Sequence, residues 1–385
     1  MALRVLHTPT NVGNHPQGLA RAEREIGLDS RCVEIERGWF DYEVDEALAG
    51  PGTGAFTLEA RRWRLLRRAL REYDVVHFNF GRSLMPPAAP SLAGAGVVHV
   101  PGRLYARLLW MRDLPLLRRA GKAIAVTFQG DDARQGVGPV VPERHRRLAA
   151  GLDGYYTARG DALKRRAIER FERHADRIFF LNPDLGEFLP GRAQFVPYAH
   201  ARPAERTPGA VDELPEVPVV VHAPSHRGIK GTHHVLEAVA RLHAEGVALD
   251  FRLVEGLPHA DARKEYERAH LLVDQLLVGW YGGLAVELMA LGKPVVCFVD
   301  RETAERHAPP ELVRELPIVH AAPRDLHAVL RELLTTRRGE YAEIARRSRA
   351  FVERWHDPVT IARQLRAEYE AALAERAGQR RSSRA

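Results

Sequence analysis

Lysine is the scarce charge in this chain. Five lysines (122, 164, 230, 264 and 293) stand among 57 basic residues, so 52 are arginine. The skew reads as genome composition as much as a basic surface, yet the net charge of +7 favours anionic partners: nucleotide phosphates, acidic lipid headgroups or nucleic acid. Cysteine is nearly absent. Cys32 and Cys297 fall in strand-like runs, and two thiols in 385 residues exclude a disulfide framework and read as reduced and intracellular. No apolar run approaches the roughly 20 residues of a membrane span. Arg4 breaks the short apolar opening, so no signal peptide is expected. There is no repeat of short period. These absences predict a soluble, cytoplasmic protein of about two to three domains.

What is present is alternation. Apolar runs of strand length lie at 3–8, 31–35, 74–80, 123–128 and 177–181, separated by helical patterns over 57–72, 104–119 and 161–175. In the first of these helices Trp63, Leu66, Leu70 and Tyr73 share a face. Strands separated by helices of this length predict a parallel sheet covered on both sides, with ligands at the carboxyl ends of its strands. Asn11, Gly13, His77, Asn79, Gln129 and Asp131 fall there. Residues 1–200 therefore read as one domain, and the Pro-, Ala- and Glu-rich stretch 201–217 as a linker. A second α/β set fills 218–356, a last helix covers 357–375, and the Arg/Ser-rich end from 376 to 385 reads as disordered.

The most informative stretch runs from 269 to 299. A short apolar run ends at Asp274, Gly282 and Gly283 permit a sharp turn, and good helix formers follow to Leu291. Gly292 and Pro294 then stop the helix before a second apolar run. A helix N-terminus after a glycine turn offers free N–H groups and the positive end of a dipole, which suits phosphate. Glu287, one turn in, could accept hydrogen bonds from a ribose. Arg227 and Lys230, three apart just after another strand, could both reach one anion.

Several of these stretches resemble glycosyltransferase family 4, a group of retaining transferases. Asp74-Val-Val-His77 is similar to that family's Asp-Val-Val-His strand, and Thr127-Phe-Gln-Gly130-Asp131 to its Thr-x-His-Gly-x-Asp corner. Arg227 with Lys230-Gly231 resembles the Arg…Lys-Gly pair on the donor diphosphate. Residues 282–296 resemble the Gly-x-x-x-x-Glu-Ala-Met-Ala-x-Gly-x-Pro-Val-Val signature. The resemblance implies a GT-B fold, two Rossmann-like doubly wound parallel-sheet domains facing a central cleft, with the last helix packing back on the first domain. It implies transfer of a sugar from a nucleotide-diphosphate sugar with retention of configuration, the diphosphate assisting deprotonation of the acceptor.

The implied roles are catalytic for Arg227, Lys230 and Asp131, and donor-binding for Glu287, Gly282, Gly283, Gly279, Tyr281, Gly13 and Asn11. His77, Asn79 and Gln129 are implied to contact the acceptor or sugar. No cofactor or metal is expected, since no Asp-x-Asp pair stands in a turn to hold Mg²⁺ against a diphosphate. The chain departs from the pattern at Gly279, eight residues before Glu287, where a first glutamate is usual, and at Gln129, where His is common.

Plainer readings stand beside these. The glycine turn also suits tight helix–strand packing, Glu287 a solvated face, and His77 a satisfied strand-end histidine. His233-His234 reads as surface. The arginine-rich helix 61–71 suits either a packed helix with a basic outer face or an acidic membrane at the inner face. The apolar 104–117 segment suits helix core or a lipid-linked acceptor. Glycan and small-molecule acceptors remain open, and no nucleic-acid platform accompanies the charge. Two further function classes stay in view, a nucleotide-sugar epimerase on the same scaffold and a non-catalytic binding subunit.

Overall fold

The apolar alternation resolves into two parallel sheets in a computed structural model that describes residues 2–36, 42–87, 100–205 and 213–382. The first sheet contains β1 (Arg4–Thr8), β2 (Asp29–Glu34), β3 (Glu46–Ala47), β4 (Val75–Asn79), β5 (Ala123–Phe128), β6 (Arg177–Phe180) and β7 (Gln194–Phe195). Its order is β3-β2-β1-β4-β5-β6-β7, every pairing parallel. The second contains β8 (Val219–His222), β9 (Asp250–Leu253), β10 (Leu271–Val273), β11 (Val295–Cys297) and β12 (Val319–His320), in the order β12-β11-β10-β8-β9, again parallel. Both are doubly wound. The order reverses between β1 and β4 in one and between β8 and β10 in the other, and a ligand crevice opens at such points.

Period-two burial assigns neighbouring residues to opposite faces. Leu6, Val76 and Ile124 pack under the helices Ala55–Glu72, Asp113–Arg119 and Ala158–His174. Val5, Val75 and Ala123 meet Leu19 of helix His15–Glu25 and Ile361, Leu365 and Tyr369 of helix Pro358–Ser382. The chain's last helix thus leaves the second sheet and covers one face of the first. The second sheet is divided in the same way, Val221 and Leu272 on one side, Val220 and Leu271 on the other.

Three expectations need correction. The buried face of helix Ala55–Glu72 is Arg62, Leu65, Leu66 and Ala69, while Trp63 is exposed. The expected helix 104–119 is two helices, Val100–Leu109 and Asp113–Arg119, with Met111 between them at φ +56°. The supposed disordered tail is helical to Ser382, because Arg376 is buried and donates to Asp176 at 2.8 Å. Part of the linker, 206–212, lies outside the described residues.

Candidate active site

Loops leaving the carboxyl ends of both sheets meet. Tyr155 lies edge-on to His226, Tyr42 lies 4.8 Å from His259 between ring centroids, and Leu152 and Tyr156 pack with Ile229 and Val278. Arg144 bridges Glu187 at 2.7 Å and Asp300 of the second half. The cleft between the sheets is therefore walled by both switch points.

On the second-domain wall, strand β10 leads into Asp274 and helix Gly283–Ala290 starts the next unit. Gly282 N–H donates to Asp274 Oδ2 at 2.7 Å, and Lys230 Nζ donates to Oδ1 at 3.0 Å. Asp274, a residue the sequence reading passed over, thus puts a carboxylate on the helix N-terminus and lysine reserved for phosphate. A Cβ at Gly282 would lie 3.1 Å from Lys230 Nζ, and one at Gly283 would lie 3.1 Å from the His200 ring. Both glycines keep these approaches free of a tight Cβ contact. Arg227 does not share the anion with Lys230. It is exposed and forms a fork on Glu255, with contacts of 2.5–3.1 Å, so the expected two-cation clamp is split.

Glu287 is buried rather than solvated. His259 Nε2 lies 3.2 Å and His200 Nε2 3.6 Å from its carboxylate. Burial first, then Glu287, pushes the Tyr42 hydroxyl above its usual range, so Tyr42 from the first domain closes the same pocket as a neutral phenol. Tyr281 is not a cleft residue. It is fully buried, and its hydroxyl donates to His356 Nε2 at 2.9 Å. Gly279 has φ +93°, and a Cβ there would lie 3.0 Å from Asp300 Cβ and 3.4 Å from Arg144. A side chain at Gly279 would meet this ion pair, so the position is not an open sugar subsite.

In the first domain, Asn11 is engaged by the turn itself. Its Oδ1 accepts from Gln17 N–H at 3.2 Å, and its amide donates to Asn14 and to the Glu43 carbonyl. Gly13 takes φ +59° with open space around it. His77 is buried, with Nδ1 2.6 Å from Tyr369 Oη and Nε2 2.7 Å from Thr127 Oγ1, so it anchors the C-terminal helix and does not face the cleft. Asn79 and Gln129 do come together, Gln129 Nε2 donating to Asn79 Oδ1 at 3.3 Å. Asn182 extends this network to Tyr198, whose hydroxyl donates to it at 2.8 Å.

Counted residue by residue, the corner pattern's aspartate falls on Asp132, not Asp131. Asp132 accepts the Gln129 and Gly130 N–H groups at 3.1 and 2.7 Å, and burial, against those bonds, pushes its carboxyl up to about 6. Burial acts the same way on Asp131, but Arg134 and the hydroxyls of Tyr155 and Tyr156 outweigh it, and the carboxyl ends below its ordinary range. Those donors lie 2.9, 2.6 and 2.8 Å away. A carboxylate held this firmly in its ionised form is a poor base and a good anchor.

The fold is GT-B. No family model matches the chain, and no curated protein matches it in sequence. Solved structures match over nearly the whole chain. Sucrose-phosphate synthase from Thermosynechococcus elongatus is similar at TM-score 0.61 and 14% identity, covering 97% of this chain and 100% of that one. The catalytic domain of starch synthase IV from Arabidopsis thaliana, bound to ADP and acarbose, follows at 0.58 and 10%, covering 97% and 99%. An alpha-glucosyltransferase in complex with UDP and a mismatched DNA gives 0.55 and 10%, covering 96% and 99%. These GT-B glycosyltransferases share the architecture of this chain.

Proposed function

We propose that the protein is a glycosyltransferase that moves a hexosyl group from a nucleotide-diphosphate sugar to an acceptor, with retention of configuration and without a metal. The observation that carries this reading is the second switch point. There Lys230 and the N-terminus of helix Gly283–Ala290 converge across the cleft from the first domain's loops. The match to transferases solved with ADP or UDP supports it at the level of fold.

In this reading the donor diphosphate lies over Gly282 and Gly283 and takes Lys230 as its counter-ion. Lys230 then stabilises charge as the diphosphate leaves, the kind of preorganised electrostatics that contributes most to such reactions. Asp274 competes for the same ammonium and sets how firmly the phosphate is held. Arg227 joins only by leaving Glu255. Glu287 receives the ribose hydroxyls, with His259 orienting its carboxylate. Asp131 positions Tyr155 and Tyr156 on the acceptor side, and the diphosphate itself assists deprotonation of the acceptor. The engagement of Asp131 by a cation and a hydroxyl, and of Asp132 by a backbone N–H group, supports the reading without a metal. The acceptor is a glycan, a lipid-linked sugar or a small molecule, and the site of action is the cytoplasm.

Incubation with a panel of nucleotide sugars and acceptors tests this. Release of free nucleoside diphosphate from at least one donor, unaffected by EDTA, is expected. A changed sugar still joined to its nucleotide would make the protein an epimerase, and saturable binding without turnover would make it a binding subunit.

A further inference from the structure

Away from the cleft, helices Val100–Leu109 and Ala158–His174 enclose a groove of about 610 Å³ on the outer face of the first domain. One stripe of the second helix supplies Arg159, Leu163, Arg166 and Arg170, and the facing side supplies Arg107 and Trp110. Residues spaced i, i+4, i+7 and i+11 share one helix face, so the three arginines on it point the same way. None of the four groove arginines has a carboxylate partner among the described residues. Some arginines on other helices are neutralised by a carboxylate of their own helix, as Arg146 and Arg147 are by Glu143, and Arg263 by Glu267. Arg170 lies 4.6 Å from the Trp110 ring centroid and donates to the Trp110 carbonyl at 2.6 Å, which fixes its guanidinium at the groove's end. Burial, then Arg112, Arg173 and Arg166, lower its pKa, so the groups crowding it are cations.

Cations gathered in a concave site without carboxylates attract phosphoryl groups. The rim adds a second property. Leu104 and Leu108, one turn apart on helix Val100–Leu109, are each 62% exposed. Trp63, itself 44% exposed, is held against this helix by its indole N–H bond to the Tyr105 hydroxyl. A soluble phosphate would account for the arginines but not for the exposed leucines and tryptophan on the same helix and against it. Basic residues interleaved with leucine and aromatic side chains suit a membrane interface.

We propose that this groove binds the phosphate headgroups of anionic lipids and docks the first domain on an acidic membrane surface. The inference does not depend on the chemistry of the cleft.

Sedimentation of the full chain with vesicles of phosphatidylcholine, with or without phosphatidylglycerol, tests it. Wild type is expected to partition only onto the anionic vesicles. Arg159→Glu with Arg166→Glu should weaken that partitioning on the order of tenfold or more. Leu104→Asn with Leu108→Asn should weaken it as well, and calorimetry with inorganic phosphate should detect no comparable affinity in any form. Equal vesicle binding by wild type and the arginine variant would overturn the proposal. So would phosphate binding without vesicle partitioning, which would make the groove a site for soluble anions. Nucleotide-sugar turnover measured without vesicles should be the same in both variants as in wild type, which confirms their fold. A wild type that binds anionic vesicles but turns over no donor would overturn the transferase reading and leave the groove standing.

Discussion

Lys230 is tied to Asp274 before any donor arrives, so its removal has two consequences. The pair is nearly buried, and truncating one member of such a pair costs about 3–5 kcal/mol because the other is left uncompensated. Lys230→Met should therefore lower the melting temperature by several degrees as well as lower turnover. Adding Asp274→Asn removes the stranded charge and should restore most of the stability, while turnover stays down on the order of 10²–10³-fold. If activity returned together with stability, Lys230 would be a structural residue and the transferase mechanism would lose its counter-ion. Gly279 yields a prediction of the opposite kind. With φ +93° and a Cβ contact of 3.0 Å to Asp300, Gly279→Ala should destabilise the protein by about 1–3 kcal/mol. A melting temperature within a degree of wild type would show that the site accommodates a Cβ after all. Sequence alone showed the missing glutamate. It could not show that Arg144 and Asp300 use the space, because both contacts are set by the fold and not by neighbouring positions in the chain.

At the scale of elements, most strands were legible from apolar runs alone. The misses, β3 and β7, are two-residue edge strands too short to carry a period. The glycine turn before helix Gly283–Ala290 was legible because its residues are local and adjacent in the chain. His77 and Tyr281 were misplaced because each is satisfied from far along the chain, by Tyr369 and His356. His356 makes the crossing of the C-terminal helix sensitive to pH. Its Nδ1 lies 3.0 Å from the Tyr198 carbonyl, so Nδ1–H donates there and Nε2 accepts from Tyr281. Burial pushes its pKa down to about 3. Unfolded imidazole titrates near 6.5, so between roughly pH 6.5 and 3 the unfolded chain binds the extra proton and stability falls as pH falls. His356→Gln forfeits the neutral imidazole's contribution at every pH. The melting-temperature gap between wild type and variant should be widest above about pH 6.5 and narrow steadily toward pH 4. A gap independent of pH would show that His356 is not held neutral in the folded chain.

For the whole molecule, the contacts that close the cleft are made by side chains other than those proposed to bind the donor diphosphate. Leu152 and Tyr156 of the first domain pack on Ile229 and Val278 of the second, and Arg144 bonds both Glu187 of its own domain and Asp300 of the other. Two glycines let the halves approach this closely, Gly186 against the His307 ring and Gly228 against Leu152, and a Cβ at either would have no room. Leu152→Ala combined with Arg144→Ala removes an apolar and a charged contact across the cleft. A loss of about 3 kcal/mol in the closed form corresponds to roughly a hundredfold change in the ratio of closed to open molecules. The donor-binding residues stay intact, so the double variant should open without unfolding. Small-angle scattering should show a larger radius of gyration, and the apparent KM for donor should rise more than kcat falls, because competent molecules become a minority. Unchanged scattering and unchanged KM would mean that the crossing segments around Tyr198 and His356 hold the domains together by themselves. In that case closure would be a property of those segments rather than of the cleft surfaces.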